Sequence, residues 1–119
     1  MRAPRPAVAG PVALTAVAAA AGCPVASDPA GTQVTGVTLD SRAVQPGDLY
    51  AALPGARAHG ADFAAQAVQA GAVAVLTDPE GAERIAGAAD GGAHGIPVLV
   101  VARPRAVLGA VAALVYERA

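Results

Sequence analysis

Polar chemistry in this chain is concentrated between Thr38 and Phe63, in the run TLDSRAVQPGDLYAALPGARAHGADF. Ser41 and Arg42 directly follow a β-branched stretch. A serine hydroxyl both donates and accepts, and an arginine can pair with phosphate oxygens. The competing reading is a polar strand end in which Asp40 and Ser41 satisfy turn amides, and spacing alone favours it. The second group is the glycine loop Gly55-Ala56-Arg57-Ala58-His59-Gly60. Its glycines let backbone amides approach a ligand closely, and Arg57 adds charge beside them. An ordinary surface turn is the alternative.

Metal and nucleophilic chemistry find little support. His59 and His94 are the only histidines and stand in separate loops, Cys23 is remote in sequence, and no HxxxH or CxxC spacing occurs. Metal binding is therefore not expected. A Ser-His-Asp set can be assembled from the letters, but no nucleophile elbow accompanies it. No catalytic residue is identified. The lone cysteine cannot close an intrachain disulfide, so nothing points to an oxidising compartment.

The elements that must hold these groups alternate. Pro11 can open a helix running to about residue 21, with Leu14, Val17, Ala18 and Ala21 at helical spacing and Gly22 ending it. Residues 1–9 read as disordered and 25–33 as loop. A β-branched strand spans 34–39, Pro46-Gly47 suits a type II turn, and a second strand spans 49–53. Asp62 is the expected N-cap of a helix through residue 70, with Phe63, Ala67 and Ala70 on its buried side and Gly71 just past its end. A strand covered on both faces comes next, at 73–76. Then come a helix over 80–89, with Glu80 and Glu83 near its positive end, and a loop over 90–95. A buried strand over 97–101 leads to a last helix opened by Pro104, with Val107, Leu108, Val111, Leu114 and Val115 as its apolar stripe. This is an α/β domain with helices on both faces of a small mixed sheet. No GxGxxG comes after a strand, which argues against a dinucleotide-type Rossmann site.

The stretch from residue 34 to 77 resembles the N-terminal domain of the Mur ligases, enzymes that add amino acids to the UDP-linked cell-wall precursor. The ordered set that carries the resemblance is Thr38-Leu39-Asp40-Ser41-Arg42, Pro46-Gly47-Asp48-Leu49-Tyr50, Gly55, Phe63 and Gly71-Ala72-Val73-Ala74-Val75. It is similar above all to the MurE type, which adds the third stem residue; the MurF type shares most of the pattern. The resemblance implies a small three-layer α/β unit distinct from the Rossmann fold. It implies that Leu39 and Ser41 bind the UDP-sugar and that Ala56, Arg57 and Ala58 contact its uridine end. Asp40 keeps its structural reading, and Arg42 stays open between the two. The family often has Asp-Gly where this chain has His59-Gly60.

Composition sets the limits. The 119 residues fit one domain, with 55% hydrophobic but only 3% aromatic residues, so the core must be built from Ala, Val and Leu. A net charge of -1 provides no global field for nucleic acid or an acidic membrane. All eight basic residues are arginine. The lysine of a Gly-Lys-Thr/Ser phosphate loop is thus missing.

The resemblance therefore implies a division: 1–33 as an N-terminal segment with one Ala-rich helix, 34–119 as the substrate-binding domain, and the central and C-terminal domains absent. ATP and magnesium would belong to the central domain, with no cofactor expected here. The expected ligand is UDP-N-acetylmuramoyl-L-alanyl-D-glutamate, and the expected location is the cytoplasm. The uncharged stretch over 6–27 after Arg2 and Arg5 resembles a signal peptide superficially, but Pro and Gly interrupt it and Ala stands where Leu is expected. The alternatives are a MurF-type domain, a stand-alone nucleotide-sugar-binding module, or a secreted or anchored Ala-rich domain.

Overall fold

The computed structural model describes residues 11–23, 25, 31–55, 58–87 and 96–116. The expectations for residues 1–9, for most of 25–33 and for the 90–95 loop with His94 lie outside these.

A parallel sheet organises the molecule. β3 (Gly36–Thr38), β4 (Asp48–Ala51), β5 (Ala74–Thr77) and β6 (Val98–Val100) pair in sequence order, all parallel. The antiparallel pairing forms a separate two-stranded sheet of β1 (Val12–Ala13) and β2 (Gln33–Val34). The mixture expected from the sequence is thus divided between two sheets. The run over 34–39 changes partner at Thr35: Val34 pairs with Val12, whereas the Thr35 N–H donates to Gly47 O at 2.9 Å, in the register of the β3–β4 ladder.

Alternation along the strands sends side chains to two cores, one on each face. Leu49, Ala74, Leu76 and Leu99 pack with Val17 and Ala18 of α1 (Leu14–Ala20) and with Val111 and Val115 of α4 (Pro104–Tyr116). Tyr50, Ala52 and Val75 face Ala64 and Ala67 of α2 (Ala64–Gln69) and Ile85 of α3 (Pro79–Ala86). The result is three layers, helix on sheet on helix. The stripe read over Leu14, Val17, Ala18 and Ala21 is buried throughout, so α1 belongs to the same core as the rest. α4 adds a further tie: the Tyr116 hydroxyl accepts from Val37 N–H at 2.7 Å and donates to Val37 O at 3.1 Å.

The turn before β4 is built around glycine. Gly47 has φ +94°, and a Cβ there would collide with the Thr35 hydroxyl. The buried Asp48 carboxylate accepts from Gln45 N–H at 2.9 Å, so the Pro-Gly-Asp run is a closed turn with an internal acceptor. Gly71, at φ +117°, leaves room for Pro46, whose Cα would lie 2.6 Å from an added Cβ.

Several expectations after the glycine loop are corrected. The chain enters a 3-10 helix at Gly60–Phe63 before α2, and its N-cap is His59, not Asp62. Asp62 sits inside that turn at the surface and pairs with Arg84 Nη1 at 3.0 Å. Winding at three residues per turn rotates the buried face. Ala61 and Ala64 point inward, Phe63 is 44% exposed, and Ala70 is exposed. α3 begins at Pro79 with Asp78 as its N-cap. β6 is an edge strand with Val100 exposed, where a fully buried strand was expected.

Candidate functional site

In a parallel sheet, ligand clefts lie beyond the carboxyl ends of the strands. Here a cleft of about 480 Å³ opens beyond β3 and β4. Its lining comes from the β3–β4 connection (Leu39, Asp40, Ser41, Arg42), from β4 and its end (Tyr50, Leu53), and from the glycine loop and the two helical turns after it (Ala58, Gly60, Phe63, Gln66). Of the residues assigned from sequence, Leu39, Ser41, Arg42 and Ala58 meet around this one cleft. Ala56 and Arg57 lie outside the described residues.

The floor is polar and partly dry. Ser41 is 8% exposed, and its Oγ donates to Gln66 Oε1 at 3.3 Å, which leaves its acceptor lone pairs for another partner. Tyr50 is buried, and its hydroxyl donates to Gly60 O at 2.8 Å. Burial, with the Asp40 charge nearby, pushes its phenol up to about 12, so it stays a neutral donor.

Charge sits at the mouth. Asp40 Oδ1 accepts from Arg42 N–H at 2.9 Å and from Arg42 Nε at 3.2 Å. The Arg42 amide and then its guanidinium hold the Asp40 carboxyl below its ordinary value. With 81% of its side chain exposed, Arg42 keeps most of its guanidinium edge toward solvent. Asp40 thus closes a local turn, and the Ser41 hydroxyl and Arg42 guanidinium flank the cleft. Leu39 and Phe63 add two half-exposed apolar side chains to the walls, suited to the face of a flat ring.

His59 is not a surface group. It is 4% exposed; its Nδ1 accepts from Ala61 N–H at 3.0 Å, and its Nε2 meets Asp78 Oδ1 at 2.8 Å. Partial burial raises the Asp78 carboxyl, but the bonds from Gly81 N–H and His59 outweigh it and hold the carboxyl below its ordinary value. A second cleft, of about 460 Å³, lies beyond β5 and β6, lined by Pro54, Asp78 and residues 102–106. Among the described residues no cluster of three or more His, Cys, Asp or Glu could hold a metal ion. No helix among them is long and apolar enough to cross a membrane.

Sequence reasoning missed Tyr50, Leu53, Phe63 and Gln66 as cleft residues, although Tyr50 and Phe63 stand in the ordered set that carries the resemblance, while Gly60 belongs to the glycine loop already singled out.

Several known proteins are similar to this chain. A UDP-N-acetylmuramoyl-L-alanyl-D-glutamate--2,6-diaminopimelate ligase of Streptomyces avermitilis is 55% identical over 113 residues, covering 95% of this chain and 21% of its own length. The protein of the same name from Streptomyces coelicolor is 60% identical over 92 residues, 77% of this chain and 17% of its own. A UDP-N-acetylmuramyl-tripeptide synthetase of Leifsonia xyli subsp. xyli is 50% identical over 96 residues, 81% of this chain and 18% of its own. The chain thus spans about a fifth of the length of these relatives. Among solved structures, crystal structure II of MurF from Acinetobacter baumannii matches with a TM-score of 0.59 at 25% identity, over 86% of this chain and 20% of that one. The family model described as Mur ligase family, catalytic domain, matches residues 33–116. Because that span runs from β2 through α4 and takes in every residue lining the cleft, the chain belongs to the Mur ligase family.

Proposed function

We propose that this chain anchors the UDP end of UDP-N-acetylmuramoyl-L-alanyl-D-glutamate for an ATP-dependent ligase that adds 2,6-diaminopimelate to the glutamyl carboxylate. The observation that carries this reading is the convergence of Leu39, Ser41, Arg42 and Ala58 on one cleft at the carboxyl end of the sheet. The names of relatives 55% and 60% identical supply the amino acid. In this reading Ser41 and Tyr50 face the polar part of the ligand, Arg42 its phosphates, and Leu39 and Phe63 its flat ring, with the uridine-end role of Ala56, Arg57 and Ala58 kept as the resemblance implies it.

The contribution to catalysis is remote. Binding energy gathered at the nucleotide end holds the distant carboxylate in place for activation, which lowers the entropic part of the barrier. The residues present do not fit an ATP site: the chain has no lysine for a phosphate loop. ATP and magnesium would act in the other domains of the parent ligase, with this chain as their partner. A cytoplasmic location goes with ATP-driven chemistry.

A MurF-type parent is the second reading, favoured by the MurF structures among the solved neighbours. The higher identity to the diaminopimelate ligases argues for the first. Stem length separates them, since a full-length parent that accepts only the UDP-tripeptide belongs to the second.

The direct test is an NMR titration of the 119-residue chain with UDP and then with UDP-N-acetylmuramoyl-L-alanyl-D-glutamate. Shifts are expected at residues 39–42 and 55–60 and at Phe63 and Gln66. A folded chain whose cleft resonances stay unmoved at millimolar ligand overturns the assignment.

A further inference from the structure

His59 lies behind the cleft wall and is not among the residues that line it. Its ring joins three things. Nδ1 accepts from Ala61 N–H at 3.0 Å and so caps the 3-10 helix that carries Phe63. With that nitrogen an acceptor, the ring proton is on Nε2, which donates to Asp78 Oδ1 at 2.8 Å. The same carboxylate oxygen accepts from Gly81 N–H at 2.8 Å, so the first turn of α3 fixes it. The ring packs on α3 backbone so closely that a Cβ at Gly81 would come within 2.7 Å of its Cε1.

The loop closes on the same residue from the other side. His59 bridges Pro54, Gly55 N–H donates to Ala58 O at 3.0 Å, and Gly60 N–H donates to Leu53 O at 2.8 Å. Through these contacts one imidazole ties Ala58, Gly60 and Phe63, a whole wall of the cleft, to the end of β5.

We propose that His59 is the positioning residue of the cleft, and that it holds the wall in its ligand-ready form through the cap its Nδ1 gives the 3-10 helix. Asp78, which anchors the other side of the ring, stays ionised because its carboxyl is held low. This inference rests on the cleft being the nucleotide-sugar site.

Two variants split the ring's duties. In His59→Asn the amide oxygen can stand in for Nδ1 as the cap. In His59→Gln the amide nitrogen can stand in for Nε2, and the cap is lost. The probe is UDP-N-acetylmuramoyl-L-alanyl-D-glutamate, with binding and backbone amide shifts followed by NMR at neutral pH.

His59→Asn is expected to bind near the wild-type affinity, and His59→Gln about three- to tenfold more weakly, the worth of one hydrogen bond, while keeping a folded spectrum. The amides of Ala58, Gly60, Ala61 and Phe63 should hold their wild-type positions in His59→Asn and move in His59→Gln. Equal affinity of wild type and His59→Gln, or an equal loss in both variants, overturns the proposal. If the wild type binds no probe, the reading of the cleft fails. The ligand-free spectra then still decide the positioning role, since wall amides that stay in place in His59→Gln overturn it.

Discussion

Ser41 and Arg42 are adjacent in sequence but sit in different electrostatic surroundings. Ser41 is 8% exposed and its hydroxyl is already tied to Gln66, so a ligand group that reaches it replaces little water. Ser41→Ala is expected to weaken nucleotide-sugar binding by about 1–3 kcal/mol with little salt dependence. Arg42 is mostly in solvent, and its pull is screened as the Debye length falls from about 10 Å at 0.1 M to about 3 Å at 1 M salt. Arg42→Ala should therefore matter at low salt and fade at high salt. Calorimetric titration of both variants at two salt concentrations checks the pair; a salt-independent loss for Arg42→Ala would contradict it. Asp78 makes a prediction about acid. Its carboxyl is lower in the fold than its ordinary value of 3.8, so the stabilisation it gives is complete above that value. It is lost as pH falls through the folded pKa. Asp78→Asn should flatten this part of the acid limb, read as the urea midpoint against pH.

At the scale of elements, the His59–Asp78–Gly81 junction holds loop, strand end and helix together with no room to spare. Gly81→Ala would drive a methyl into the Thr77 hydroxyl and the His59 ring, and should cost about 1–3 kcal/mol by overpacking. An unchanged urea midpoint would mean that the junction can open without penalty. Much of this level was legible in the sequence. β5 and α4 announce themselves by an unbroken apolar run and a helical stripe, and Gly47 and Gly71 by the positive φ their turns need. The change of partner at Thr35 was not legible, because the pattern over 34–39 is continuous and the pairings of Val34 with Val12 and of Thr35 with Gly47 are set by distant segments. Asp62 was the natural cap by residue type. His59 took that place because its second nitrogen finds Asp78, a partner nineteen residues away that no local pattern reveals. The cleft was half legible for the same reason. Leu39, Ser41 and Arg42 stand in one motif, whereas Tyr50 and Gln66 join them only through the packing of β4 and α2.

For the molecule as a whole, the shortage of aromatic residues leaves Leu, Val and Ala to fill two thin cores, and the largest side chains count heavily. Leu76 is fully buried between β4 and β6, and Leu76→Ala should cost about 2–5 kcal/mol, a large share of the roughly 5–15 kcal/mol typical of a domain. Chemical denaturation gives the number directly. The Tyr116 hydroxyl has a role beyond fastening α4. β3 is an outer strand, and at Val37 the phenol occupies both the N–H and the C=O. An open outer strand is a template on which another chain can add by backbone pairing. Tyr116→Phe would free both groups while keeping the ring, and sedimentation should then show self-association that rises with concentration. A variant that stays monomeric would show that the phenol only fastens the helix. A single oxygen at the end of α4 would thus close one edge of the sheet to copies of this domain crowded together in a cell.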